Sequence, residues 1–525
     1  MTGGATPRRS RCDHLCGMDL TVGMDIGTTS AKAIAFDARG NAYGSHSVGY
    51  PLHERNPGEA EQDPLEVIQA ALQCASQAVQ ASGPHRIAGV ALSTAMHSLV
   101  AVEDNARPLT PLLTWADSRA VEQAERLRRE HLGLHARTGT PLHPMSPLAK
   151  LLWFRENRAE LFAAARRWVG IKELLIHRLT GEWAIDASCA SGTGLMSLQD
   201  LAWDEEALGL AGIEEDQLCP IVPTTELLEL TTDELGLPTG APVVAGAGDG
   251  PLANLGLGAV RPGVAACSIG TSGALRLMAE RPGIDPDGRL FCYALTPGRW
   301  ALGGAINNGG SVLGWTGSAL APDLGPDAED RLLELAAEVP TGSEGLIMLP
   351  YLLSERAPRW STTARGAYVG LRHFHERGHL IRAAIEGVCQ QLALVLASME
   401  ESGNPVREIR ATGGFARSAL WRQVLADALG RPVGFPSGYE GSAFGAALLG
   451  MEALGIVDSL DCAAELVRIT STVEPNPEAA TVLAELRPLF AELSDDLGPV
   501  FIKLAEVEGR GADFAPTRQH PAPGD

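Results

Sequence analysis

"VGMDIGTTSAKAIAF", residues 22–36, sets an acid, a glycine, two threonines, a serine and a lysine inside what otherwise reads as two short apolar strands. A plain hairpin closes on Asn-Gly or Asp-Gly and needs no row of hydroxyls. The other reading is an anion cradle. Backbone N–H groups freed by Gly27, with the hydroxyls of Thr28, Thr29 and Ser30, surround a phosphate, and Lys32 adds positive charge. A Walker loop is excluded: it needs G-x-x-x-x-G-K-[ST] opening a helix, whereas residues 31–36 continue as a β-branched and aromatic strand towards a turn at 38–41.

The plan recurs. "VAACSIGTSGALRLM", residues 264–278, again reads strand, Ile-Gly-Thr turn, strand. Two such turns, each opening a long α/β region, indicate two related domains whose hairpins face each other across a cleft. Their boundary falls near 249–260, which gives domains at 19–256 and 257–503. An N-terminal extension at 1–18 and a tail at 504–525 are expected to be disordered. Within the first domain the pattern predicts three strands over 20–50, a helix over 64–81, a strand at 87–92 and helices near 120–131, 148–155 and 174–179. "PVVAGAGDG", residues 242–250, is a buried strand ending in a glycine-flanked acid, Asp249.

A chain of 525 residues exceeds one ordinary core. Its net charge of −22 argues against nucleic acid or an anionic membrane as partner, since no basic patch offsets the repulsion. The nine cysteines are odd in number and scattered, the usage of a reducing compartment, so a cytoplasmic protein is expected. Cys12, His14 and Cys16 lack a second ligand pair, and no metal is expected there. No apolar run follows Arg8, Arg9 and Arg11, and no charge-free stretch of about 18 apolar residues occurs, so neither secretion nor a membrane span is expected.

One cradle can bind any anion, but two from separate domains suit the phosphate chain of a nucleoside triphosphate. "REIRATGGFARSALWRQVLADALGRPV", residues 407–433, adds a strand, Gly413-Gly414, and a helix from about Ser418 to Gly430. The glycines let a flat purine and its ribose approach the backbone.

Together these pieces resemble the FGGY carbohydrate kinases of the actin, Hsp70 and sugar-kinase superfamily, from about Leu20 to Gly450. "MSPLAKLLWFREN" (145–157) and "GAYVGLRHFHERGHLIRAAIE" (366–386) fit that family's two signatures. The resemblance implies an α/β, two-domain, ribonuclease H-like fold with a duplicated core, ATP in the interdomain cleft, Mg²⁺, and a sugar or polyol acceptor. It implies Asp249 as general base and Asp25 as the Mg²⁺ side, acting through water. Gly27, Thr28, Thr29 and Ser30 would hold the transferred phosphate; Gly270, Thr271 and Ser272 the outer phosphates; Gly309, Gly310, Gly413, Gly414 and Ser418 the nucleoside.

The acceptor loops at 93–100, 112–119, 138–148 and 185–195 resemble those of family members acting on gluconate, which would be phosphorylated to 6-phosphogluconate. Met96, His97, Trp115, Asp117 and Asp186 would hold the polyol. A substrate carboxylate asks for a cation, and Arg119, Arg276, Arg356 and Lys172 are the candidates. His143 and Met145 read as packing residues. Xylulose, ribulose and glycerol remain alternative acceptors, a nucleotide-gated module without catalysis is the alternative of another class, and homodimerisation stays open.

Overall fold

The computed structural model describes residues 19–325, 328–436 and 441–512. The expectations for the extension at 1–18, with Cys12, His14 and Cys16, lie outside these residues. The opening stretch forms β1 (Asp19–Ile26) and β2 (Ser30–Phe36), paired antiparallel, followed by β3 (Ala42–Gly49). Gly27 N–H donates to the Ser30 carbonyl at 3.0 Å and closes the hairpin. Helix α1 (Pro64–Ala81) starts where Asp63 accepts from the Leu65 N–H and Pro64 fixes the first helical φ. Its apolar face lies on β2 and β3. Strand β4 (Arg86–Thr94) runs parallel to β1, and β5 (Pro242–Gly248) parallel to β4. Helix α2 (Asp249–Gly256) follows at once.

The second half repeats this. β6 (Val264–Ile269) and β7 (Gly273–Ala279) form the hairpin, and β8 (Arg299–Ile306) lies antiparallel beside β7. Next come α3 (Arg377–Glu401), β9 (Glu408–Thr412), α4 (Ala419–Leu429) and β10 (Val433–Pro436). The sheet orders are β3-β2-β1-β4-β5 and β8-β7-β6-β9-β10, each extended by short edge strands. Every pairing keeps its sense between the two, so the duplication extends from the turn motif to the whole sheet. Helix α3 is long and apolar enough to cross a membrane by length and composition, but it is packed inside the second half.

Helix α5 (Gly441–Ala453) belongs to the second half in sequence, yet packs on α2 and on β1, β4 and β2 of the first sheet. Its Ala443, Phe444 and Ala447 share a core with Ile34, Phe36, Ala91 and Val244. The contact is backbone on backbone: a Cβ on Gly23 would lie 1.9 Å from the Ala443 carbonyl oxygen, and one on Gly445 would lie 2.0 Å from that of Leu252.

The tail corrects one expectation. A helix spans Gly498–Ala512, because Phe501 is buried beside Tyr351 and Phe490, and Arg365 pairs with Glu508 at 2.9 Å. Residues 513–525 lie outside the described residues.

Candidate active site

Asp249 is the first residue of α2, so the end of a buried parallel strand delivers its carboxylate to the mouth between the halves. Its Oδ1 accepts from the Gly250 N–H at 2.7 Å. Burial raises its pKa while nearby Arg276 pulls it down. Asp25, at the end of β1, accepts from the Ser93 hydroxyl at 2.8 Å. Burial and repulsion from Asp249 push it up to about 7, against the pull of Ser93 and Lys32. The two acids therefore feel each other across one space.

Both turns are held by their own carbonyls. In the first, Tyr50 OH donates to the Gly27 carbonyl at 2.6 Å and Gln62 Nε2 to that of Thr28 at 2.6 Å. In the second, Gly309 N–H donates to the Thr271 carbonyl and Gly310 N–H to that of Gly270, at 3.0 and 2.7 Å. Gly309 and Gly310 thus brace the second turn, with their N–H groups engaged there and not directed at a nucleoside. A cavity of about 830 Å³ runs from Gly270 and Thr271 past Gly310 to Gly414, Phe415 and Trp421, large enough for a nucleoside. Gly413 is needed for chain contact: its φ is +121° and a Cβ would lie 2.0 Å from the Ile269 carbonyl oxygen. Ser418 does not line this cavity; its hydroxyl accepts from the Trp421 N–H and caps α4.

A second cavity, about 250 Å³, has Thr28, Ser272 and Asp249 at its phosphate side and His97, Trp115, Arg276 and Arg356 on its walls. Trp115 Nε1–H donates to Thr28 Oγ1 at 2.8 Å, tying the acceptor wall to the first cradle. The Arg356 guanidinium lies over the Trp115 ring, 4.6 Å from its centroid. His97 Nδ1 sits 2.7 Å from the Gly192 carbonyl, which can only accept, so Nδ1 carries the proton and Nε2 presents a lone pair. Burial holds this imidazole near 3, so it stays neutral, and its Nε2 accepts from the Tyr293 hydroxyl at 3.4 Å. Met96 and Met145 also line this cavity, and Met145 packs in the core as expected. His143 packs against Trp360, as expected.

Four expected acceptor contacts are occupied otherwise. Arg119 pairs with Glu61 at 2.6 Å and Asp117 at 2.7 Å, and Asp117 also accepts from the Ala60 N–H. Lys172 and Asp186 form a buried ion pair at 2.6 Å, and Asp186 caps the helix Ala187–Ser191. None of the four lines the acceptor cavity. Three residues given no role from the sequence matter instead. Tyr293 lines the cavity, and Glu355 underlies Arg356. Lys150 donates to the carbonyls of His97 and Thr114, both at 2.7 Å, and so fixes two acceptor loops. A lysine inside the apolar run "PLAKLLWF" was the available signal for Lys150.

Comparison with known proteins agrees with this geometry. Residues 20–256 match the FGGY family of carbohydrate kinases, N-terminal domain, and residues 265–454 match its C-terminal domain. The chain is 42% identical to the gluconokinase of Bacillus subtilis (strain 168), over 93% of this chain and 98% of that one. It superposes on a crystal structure of gluconate kinase from Lactobacillus acidophilus with a TM-score of 0.89, at 34% identity over 93% of this chain and 100% of that one. A ligand-bound xylulose kinase from Lactobacillus acidophilus gives 0.88, also at 34% identity and the same coverage. With two cradles on duplicated sheets, a half-buried acid between them and both domains matched in full order, the chain belongs to the FGGY family of carbohydrate kinases, enzymes that move a phosphoryl group from ATP to a carbohydrate hydroxyl.

Proposed function

We propose that this kinase phosphorylates D-gluconate at its terminal C6 hydroxyl, giving 6-phospho-D-gluconate. The observation that carries this reading is the charge of the acceptor cavity. Two arginines, Arg276 and Arg356, face one acid, Asp249, in a protein whose net charge is −22. A neutral pentulose or glycerol needs no such local excess, whereas a sugar acid does. Arg356 is assigned to the carboxylate, because its guanidinium stands over Trp115 on the acceptor wall. Arg276 lies against Gly250, where a Cβ would come within 3.2 Å of its Nε, and so attends Asp249. The 34% neighbours named for gluconate and for xylulose do not separate the two substrates; the 42% relative favours gluconate.

In this reading Asp249 orients the C6 hydroxyl and takes its proton as the new O–P bond forms and the bond from the γ-phosphorus to the bridging oxygen breaks, releasing ADP, while the two turns hold the phosphates in line. His97 Nε2 accepts from a polyol hydroxyl in place of the Tyr293 hydroxyl it holds at 3.4 Å, and Trp115 offers its face. Mg²⁺ fits beside Asp25, a half-buried carboxylate whose desolvation and repulsion from Asp249 a cation would offset; when bound it supplies charge neutralisation on the phosphates. The test is kcat/KM for gluconate against D-xylulose, L-ribulose and glycerol. A tenfold preference for any neutral acceptor overturns the gluconate assignment.

A further inference from the structure

Glu355 is almost fully buried and lines neither of the two cavities; it borders a third, of about 530 Å³, beside Arg128, Tyr351 and Trp360. Its Oε1 accepts from the backbone N–H groups of Asn307 at 2.6 Å and Arg356 at 2.8 Å. Its Oε2 accepts from Asn308 Nδ2 at 3.1 Å. The residues on either side of this carboxylate lead in opposite directions. Asn307 and Asn308 run directly into the Gly309–Gly310 brace, which grips the second phosphate turn. Arg356 stands over Trp115, and Trp115 donates to Thr28 of the first phosphate turn. One continuous set of contacts therefore joins the two cradles by way of the acceptor wall, and Glu355 is its midpoint.

We infer that Glu355 is a positioning residue that couples acceptor binding to nucleotide binding. An acceptor engaging Arg356 bears on Glu355, which sets the brace and hence the second turn; a nucleotide acts along the same contacts in reverse, since such coupling is reciprocal. A buried carboxylate is costly unless its donors are fixed, and all three donors here come from the two segments it joins. The Arg356 end of this chain rests on the acceptor-site reading above; the link from Glu355 to the brace does not.

Glu355→Gln isolates the coupling. The new amide keeps an oxygen for the two backbone donors but turns an N–H₂ towards Asn308 Nδ2. Asn308 has no easy way to flip, because its Oδ1 accepts from Leu353 N–H and its Nδ2 also donates to the Ser354 carbonyl. The measurement is the Kd of a non-hydrolysable ATP analogue, by calorimetry, with and without saturating gluconate, and the same pair with D-xylulose. In the native enzyme the better acceptor tightens the analogue by about tenfold. In Glu355→Gln that factor falls below about twofold, while the analogue alone binds within about threefold of native. A merely structural role lowers both affinities and leaves their ratio intact, which overturns the inference, as does absence of any tightening in the native enzyme. Tightening by D-xylulose alone overturns the gluconate reading, and the variant is then judged with that acceptor. Glu355→Asp, whose shorter carboxylate keeps the charge, partly restores the factor.

Discussion

Asp25 and Asp249 lie close enough for the second to raise the pKa of the first, so the proposed cation side and the proposed base are electrostatically linked before any ligand arrives. Asp249→Asn removes a charge but barely alters shape. It is expected to keep the fold and analogue binding while kcat falls by about 10² to 10⁴, the usual range for a general base. Turnover within a few-fold of native would remove Asp249 from that role.

The same pair fixes a pH dependence. The folded pKa of Asp25, about 7, lies above its ordinary 3.8, so the folded state prefers the protonated acid. At pH 3 both states hold the proton and there is no penalty. Between about 4 and 7 the unfolded chain gives it up first, and stability drains as pH rises; above 7 the loss is complete. Asp25→Asn should therefore melt higher than native at pH 8 and at nearly the same temperature at pH 4, in ligand-free protein. A constant difference across that range would contradict the assignment.

Arg119 and Arg356 separate stability from specificity. Arg119→Ala strands Asp117, which is fully buried, and should cost about 3 to 5 kcal/mol of stability. Arg356→Ala should raise KM for gluconate by roughly tenfold or more, the worth of one charge-assisted hydrogen bond, and change KM for a neutral acceptor far less. Thermal melts beside Michaelis constants for both variants check this; equal KM effects on charged and neutral acceptors would release Arg356 from the carboxylate.

Trp115→Phe keeps an aromatic face under Arg356 but removes the indole N–H from Thr28 Oγ1. We expect a fall of about tenfold in kcat, the order of one lost hydrogen bond, with little change in melting temperature. Full activity would show that Thr28 needs no help from the acceptor wall.

Local chemistry was legible in the sequence; long-range commitment was not. The turn after Gly27 and its copy after Gly270 carry their own backbone requirements, and α1 announces itself with Asp63 and Pro64, so these could be read residue by residue. Asp249 was legible for the same reason, as an acid ending a buried strand. Arg119 is held by Asp117, two residues away, as well as by the distant Glu61, and Lys172 by Asp186 from another element, so neither reaches the acceptor. The start of α4 at Ser418 was legible at short range, a serine three residues before Trp421 acting as helix cap. Glu355 gave no signal, since two of its three donors, Asn307 and Asn308, arrive from a segment far away in sequence.

The crossing of α5 onto the first sheet has a consequence for how the chain is made. One face of β1, β2 and β4 is completed by Ala443, Phe444 and Ala447, so Ile34, Phe36 and Ala91 lack their cover until the ribosome has passed residue 453. At about 5 to 20 residues per second that leaves an apolar sheet face waiting for on the order of tens of seconds. The first half is therefore a late-finishing unit despite being made first. A fragment ending at residue 256 should bind hydrophobic dyes and aggregate, and supplying residues 257–512 in trans should rescue it.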